Sequence, residues 1–318
     1  MNARYTSRLV GVAFVALSAV AASNWEDQRA PECTVAPFAN FNTRLVEVGS
    51  GSGDCAEVAA PAVIRDDPAT PAVEGNTVEE ENQIAAANFI NGLKAPLRLA
   101  VYGLRPYVVL GSDGYADFDI PQNVAIQDQA LGDLRQVAIS RAEGYVINDP
   151  PLYAFGQFAT PTPQGDICTA PSFASGRLVI PELAEIPAVP DDPETEEDDS
   201  EPRVPPQPAV DIEMAWSDVR VLVTAGYPGV QFQGTVRYTV NSCTRTYTAT
   251  GVFGGNTTFG CEGTDPNPDP DGDPIPNGTP DPSQCDPLIT GVNPDFPVVC
   301  DPVLLTCLLP EGRFPATP

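Results

Sequence analysis

The chain contains 318 residues, with eight cysteines, no histidine and a formal net charge of −27 at pH 7. This charge disfavours nucleic acid and anionic membrane surfaces as partners, because both are negatively charged. The lack of histidine excludes Ser-His-Asp and Cys-His catalysis and histidine-ligated zinc or haem sites.

The first residues have the pattern of a signal peptide, which we assign to 1–23. Arg4 and Arg8 form a small positive start, and an apolar and small-residue run follows from 9 to 22. The run is short for a membrane span, and small residues at its end favour cleavage over an uncleaved anchor. We therefore expect an extracellular, cell-surface or periplasmic protein with no membrane span after signal removal. In that setting an even set of cysteines favours disulfides.

Residues 24–186 are predicted to be β-rich with one helix. Short apolar runs punctuated by Gly, Pro and Asp are typical of antiparallel strands. The helix is predicted over 78–93, because Thr77 and Glu80 form a capping-box pair at its start. Strands are predicted near 44–48, 97–102, 107–110, 134–147, 152–158 and 177–183.

The segment 187–209 is rich in proline and acid, and eight of the eleven residues from 191 to 201 are acidic. Such a segment buries too little apolar surface to offset its chain entropy, so we predict that it is disordered. It is either a linker between two domains or a long loop that joins two strands of one sandwich. Its strand-like flanks leave both interpretations open.

Residues 210–263 are predicted to form a β-meander. Apolar and polar residues alternate over 218–224 and 235–240, a Thr/Tyr-rich run covers 244–253, and Asn241-Ser242 offers a tight turn. Trp216 is expected to fill the core beneath the meander. The fold class predicted for the chain is mainly β: an antiparallel, sandwich-like fold with one short helix, disulfide bridges and disordered acidic or proline-rich segments.

The cysteine positions suggest a disulfide pattern. Cys243 and Cys261 bracket the third strand of the meander, so we predict that they pair, and that Cys33 pairs with Cys55. Two further bridges are expected among Cys168, Cys285, Cys300 and Cys307. The tail 285–318 has too little apolar content to fold alone and is expected to be cross-linked.

A possible calcium site lies in the Asp/Pro-rich segment 264–284. Oxygen-bearing side chains at alternate positions, with Gly272 among them, resemble the calcium loops of EF-hand and thrombospondin-repeat type. No Glu stands near the position where an EF-hand has its bidentate Glu, and the prolines prevent a flanking helix. We favour a stiff, extended Asp/Pro spacer over a calcium loop, and we expect at most weak calcium binding. The candidate ligands are Asp265, Asn267, Asp269, Asp271 and Asp273.

The sequence indicates a secreted or cell-surface, non-enzymatic protein that acts in binding or as a structural surface component. No catalytic residue and no cofactor other than weak calcium is predicted, and the expected partner is a protein or glycan at the cell surface. One alternative is a calcium-dependent adhesion or glycan-binding module, in which loop tyrosines such as Tyr227 would stack on sugars. The other is an extracellular hydrolase that uses a carboxylate pair.

Overall fold

The computed structural model describes residues 31–36, 39–64, 75–107, 123–142, 152–190, 201–226, 228–253, 260–265 and 275–316. The predicted signal peptide lies outside these ranges. The described helices are α1 (Val78–Lys94), α2 (Gln129–Arg141) and α3 (Pro287–Thr290), with a 3-10 turn at Pro282–Cys285. The strands are β1 (Ala39–Glu47), β2 (Ser52–Gly53), β3 (Leu99–Pro106), β4 (Asn123–Asp128), β5 (Tyr153–Gln157), β6 (Ile167–Ala174), β7 (Gly176–Ile180), β8 (Val210–Val223), β9 (Pro228–Val240), β10 (Cys243–Phe253), β11 (Glu262–Thr264), β12 (Pro276–Pro280), β13 (Val299–Asp301) and β14 (Thr306–Leu308).

One large antiparallel sheet dominates the structure, which confirms the predicted mainly β fold class. Its ten strands run in the order β1-β3-β4-β5-β6-β8-β9-β10-β2, and β7 pairs with β8 beside this path. Strand β1 pairs with β3 on one side and with β10 on the other, so the sheet closes on itself. Closure pairs the backbone groups that an open sheet would leave exposed at its edges.

The predicted meander is confirmed as β8, β9 and β10, the three longest strands. Alternation of apolar and polar residues sends every second side chain of β8 into the core, from Val210 to Trp216. Asn241 has a positive φ of 52° in the two-residue turn between β9 and β10. This is the left-handed geometry that asparagine tolerates and that such hairpin turns require.

Aromatic rings fill the interior of the closed sheet. The Tyr102 and Trp216 rings lie 4.9 Å apart between centroids, and those of Phe41 and Phe232 lie 5.2 Å apart. All four side chains are at most 3% exposed, so the prediction that Trp216 fills the core is confirmed. Gly251 lies opposite Phe232, where an added Cβ would approach the ring to 2.2 Å, so this position requires glycine.

The predicted helix is confirmed as α1, with both hydrogen bonds of the Thr77–Glu80 capping box present. The strand prediction for 134–147 is wrong over its described part, because 134–141 belong to α2. Leu131 and Ala138 point inward at helical spacing, while the β-branched Val137 and Ile139 are exposed.

Residues 181–190 and 201–209 extend the β7–β8 hairpin, and we call this pair of segments the arm. Backbone bridges occur at every third residue and join Leu183 with Gln207, Ile186 with Val204 and Val189 with Glu201. The prolines occupy positions between these bridges. The disorder predicted for 187–209 is therefore wrong for 187–190 and 201–209, whereas 191–200 lie outside the described residues. Because β7 pairs with β8, the segment joins neighbouring strands of one sheet.

Two arginines hold the arm against the helices. Arg141, in the last turn of α2, donates to the Pro205 carbonyl at 2.7 Å and to the Gln207 side chain at 2.8 Å. Arg203, within the arm, donates to the Glu81 carboxylate of α1 at 2.6 Å. Sequence reasoning missed these contacts because they connect residues that are far apart in the chain.

Residues 260–265 and 275–316 form a small unit that we call the C-terminal module. It packs on the sheet through a second apolar cluster, to which the sheet contributes Leu222 and Val252 and the module contributes Val292, Phe296, Leu309 and Ala316. The buried Gln231 side chain clamps the end of the module, donating to the Ala316 carbonyl at 2.8 Å and accepting from its N–H at 3.0 Å. Among the described residues, none of the helices combines the length and the apolar character needed to cross a membrane.

Candidate binding groove

Four disulfides cross-link the structure. All eight cysteines are bonded, in the pairs Cys33–Cys168, Cys55–Cys243, Cys261–Cys300 and Cys285–Cys307. The predicted pairs Cys243–Cys261 and Cys33–Cys55 are therefore wrong. Of the two bridges expected among the other four cysteines, only Cys285–Cys307 forms.

The geometry of β10 explains why Cys243 does not bond to Cys261. Cys243 is the first residue of this 11-residue strand. A strand rises about 3.3 Å per residue, so Phe253, at the far end of β10, lies about 30 Å along the strand from Cys243. Cys243 instead lies opposite Gly53 of β2, which brings Cys55 within bonding reach.

An open groove of about 500 Å³ lies where β1, the segment 96–98 and the C-terminal module meet. Its apolar lining includes Leu45 and Leu97 from the sheet side and Val303 and Leu304 from the turn between β13 and β14. Leu45 is 4% exposed, whereas Val303 is 69% exposed. Leu45 belongs to the main core of the sheet, whereas Val303 gives the groove an accessible apolar rim.

An ion pair joins the two sides of the groove. The Arg44 guanidinium contacts the Asp301 carboxylate at 2.5 Å, and the two side chains are 15% and 12% exposed. The other Asp301 oxygen accepts from the backbone N–H groups of Val303 and Leu304, both at 3.0 Å. Burial pushes the pKa of the Asp301 carboxyl up, but these bonds and the Arg44 charge outweigh it and hold the pKa below its usual value.

A second set of contacts fixes the wall formed by β1 and the segment after α1. Arg245 donates to Glu47 at 2.7 Å and to the carbonyl oxygen of Lys94 at 2.9 Å. The Leu97 backbone N–H donates to the Tyr247 hydroxyl at 3.1 Å. These hydrogen bonds attach the wall to β10 and restrict the positions of its side chains.

Two charged side chains of the lining remain available to a ligand. Arg98 and Glu311 are exposed, and neither forms an ion pair with another described residue. Chemically, the groove offers an apolar surface flanked by one positive and one negative group. Sequence reasoning missed it because its lining comes from the separate stretches 44–47, 96–98 and 301–311, which carry no motif.

The calcium candidate is only partly described. Asp265 is exposed, and its N–H donates to the Ile275 carbonyl at 2.7 Å, so the two residues that flank 266–274 lie side by side. The extended spacer predicted for 264–284 falls mostly on 266–274, which lie outside the described residues, so it stays a prediction. Asn267, Asp269, Asp271 and Asp273 lie outside the described residues, as does Tyr227, and calcium binding stays a prediction.

A second polar cluster lies inside the closed sheet. Asp128 ends β4, is 2% exposed and accepts from the Ala130 N–H at 2.9 Å, which caps α2. It lies opposite Tyr102 in the β3–β4 register. The Tyr102 hydroxyl and the Trp216 Nε1 are buried and find no hydrogen-bond partner in the described part of the chain.

Burial governs the titration of this interior cluster. It raises the pKa of the Asp128 carboxyl from 3.8 to about 6, although backbone N–H groups of α2 oppose the change. Burial and the nearby Asp128 charge also raise the pKa of the Tyr102 and Tyr238 hydroxyls. The sequence offers one signal for this cluster. Asp128 ends the apolar strand β4 and directly precedes α2, where an acid commonly caps a helix.

Comparison with known proteins concerns the sheet and not the groove. Residues 107–254 match the MlpA family model. This MlpA-like region covers less than half of the 318 residues and includes β4 to β10. All residues that line the groove lie outside it. No curated protein and no solved structure matches the chain.

Proposed function

We propose that this chain is a non-enzymatic, extracytoplasmic binding protein whose recognition surface is the groove between the closed sheet and the C-terminal module. The observation that carries the proposal is the groove itself, a volume of about 500 Å³ lined by apolar residues and by two charged side chains that form no ion pair with another described residue. Binding pockets for ligands commonly have volumes of about 300–1,000 Å³ and this mixture of apolar and polar lining.

The scaffold suits an oxidising compartment. Disulfides persist outside the reducing cytosol, and all eight cysteines of this chain are paired. The predicted signal peptide points to the same location. Most strands of the sheet lie within the MlpA-like region. The residues that line the groove lie outside that region.

The chemistry of the groove favours a polypeptide ligand over a glycan. Sugar recognition commonly uses aromatic faces, and the lining residues that the structure describes include no aromatic ring. A protein segment with an apolar side chain between opposite charges would match Arg98, Glu311 and the apolar rim. The net charge of −27 favours partners with a net positive charge.

The charged groups of the groove support binding more than catalysis. A general acid or base works best when its pKa lies near the working pH. The Asp301 carboxyl has a lowered pKa, and Arg44 and two backbone N–H groups occupy it. It therefore stays ionised and engaged at neutral pH, as a structural group does.

The proposal is tested with two matched substitutions. Val303 in the groove and Leu288 on α3 are both exposed aliphatic side chains of the C-terminal module, at 69% and 96%. Binding of the mature protein to surface proteins of the producing cell, and to a panel of oligosaccharides, is measured with and without calcium. We expect Val303→Arg to weaken protein binding at least about tenfold and Leu288→Arg to leave it unchanged.

Three results would contradict this function. Equal binding by both variants would place recognition elsewhere on the surface. Binding that requires calcium would favour the adhesion alternative, and turnover of the bound ligand would favour the hydrolase alternative.

A further inference from the structure

The hairpin of β11 and β12 carries an exposed Asn-Gly pair, Asn277-Gly278, whose main chain lies next to a reactive carboxamide. Attack of the Gly278 nitrogen on the Asn277 Cγ closes a succinimide ring. Glycine leaves this nitrogen unhindered, and the space where a Gly278 Cβ would lie is open. The φ of Gly278 is +71°, a left-handed geometry that favours glycine.

Three groups of the hairpin contact the atoms that would react. The Gly278 N–H donates to the Glu262 carboxylate at 2.8 Å, so a base is in contact with the nucleophile. The Asn277 carboxamide oxygen accepts from the Thr279 backbone N–H at 2.9 Å and also from the Thr279 hydroxyl. These donors face the oxygen on which negative charge develops, as in an oxyanion hole. The Asn277 amide nitrogen donates to the Thr264 carbonyl at 3.1 Å.

We propose that Asn277-Gly278 is a site of self-catalysed deamidation, in which Glu262 acts as the base and Thr279 stabilises the oxyanion. The Gly278 nitrogen attacks the Asn277 Cγ while its proton passes to the Glu262 carboxylate. The Glu262 carboxyl then gives that proton to the amide nitrogen, the Cγ–N bond breaks, and ammonia leaves a neutral succinimide. Water adds to either ring carbonyl and opens the ring, which leaves an aspartyl or an isoaspartyl residue at position 277.

The reaction changes contacts that hold the hairpin together. Pro276 and Pro280 of β12 have no backbone N–H, so side-chain hydrogen bonds carry part of its pairing with β11. Ring closure removes the Gly278 N–H from the Glu262 carboxylate, and hydrolysis adds a second carboxylate to the same hairpin. Like charges at close range repel, so deamidation loosens the pairing of β11 with β12. The inference is independent of the proposed function.

A second Asn-Gly pair of the chain provides an internal control. Asn91-Gly92 lies inside α1, so the Gly92 N–H belongs to the helical hydrogen-bond ladder. The Asn91 carboxamide bonds to the backbone of Val58, accepting from its N–H at 2.7 Å and donating to its carbonyl at 3.0 Å. This pair has the same two residue types without a carboxylate base on the glycine nitrogen.

Peptide mapping of the folded mature protein, sampled over time at neutral pH, tests the proposal. Deamidation is read from the mass gained when OH replaces NH₂, and isoaspartate from methylation by an isoaspartyl methyltransferase. We expect Asn277 to react at least about tenfold faster than Asn91, and at least about tenfold faster than in a free peptide of residues 273–281. Glu262→Gln should slow the reaction at Asn277 about tenfold and leave Asn91 unchanged.

Two results would overturn the inference. A rate at Asn277 that does not exceed the rate in the free peptide would show that the folded hairpin does not promote the reaction. An unchanged rate in Glu262→Gln would show that this carboxylate is not the base. The comparison of the wild type with the peptide needs no variant, so altered folding of Glu262→Gln does not decide the outcome.

Discussion

Asp128 offers a direct test of how a buried carboxyl inside the closed sheet affects the stability of the fold. Each pKa unit corresponds to about 1.4 kcal/mol. A folded-state pKa of about 6, against 3.8 for the free group, therefore means that ionising Asp128 costs the folded state about 3 kcal/mol. Because the folded pKa is raised, this cost is absent below pH 4 and develops as the pH rises to about 6.

Asp128→Asn removes the charge and keeps the helix cap, since asparagine caps helices as well as aspartate does. Part of the gain is offset because the new amide hydrogens need buried acceptors. We expect the variant to be about 1–3 kcal/mol more stable than the wild type at pH 7.5, and about equal to it at pH 3.5. The control is Glu182→Gln, an exposed carboxyl of the arm, with an expected change within about 0.5 kcal/mol.

The assay is urea unfolding followed by far-ultraviolet circular dichroism at several pH values, with the disulfides intact. The difference between variant and wild type should grow between pH 4 and pH 6 and then level off. A variant that is less stable than the wild type at pH 7.5, or a difference that does not change with pH, would refute the reasoning. In either case Asp128 would be stabilised in its charged form by contacts other than those described.

Two further predictions concern the groove and the core. Arg44→Met leaves the nearly buried Asp301 carboxylate unpaired, so we expect the free energy of unfolding to fall by about 2–4 kcal/mol, measured by thermal unfolding. An unchanged free energy of unfolding would mean that solvent replaces the guanidinium. Gly251→Ala places a methyl group against the Phe232 ring and should cost about 1–3 kcal/mol in urea unfolding. Its control is Gly92→Ala, in an open position of α1, which should stabilise by up to about 1 kcal/mol; equal effects of the two changes would contradict the packing described.

The features that sequence reasoning predicted correctly depend on local patterns. The meander follows from period-two alternation around Asn241, and α1 follows from the Thr77–Glu80 capping box. The strand prediction for 134–147 rests on a short apolar run, a pattern that strands and helices share. Burial of one face of the segment decided its structure, and that depends on tertiary packing.

The features that were not predicted depend on contacts between distant parts of the chain. Cys55 and Cys243 are 188 residues apart, and only the pairing of β2 with β10 brings them together. The Arg44–Asp301 pair spans 257 residues and joins elements that no motif connects. Spacing along one sequence does not determine such contacts, because closure of the sheet decides which residues become neighbours.

The most direct test of the groove as the recognition surface is hydrogen–deuterium exchange of the mature protein with and without a surface protein that it binds. We expect slower exchange in peptides that cover 44–47, 96–98 and 301–311, and unchanged exchange in the arm and in β6. Protection confined to the arm or to β11 and β12, with unchanged exchange around the groove, would contradict the account.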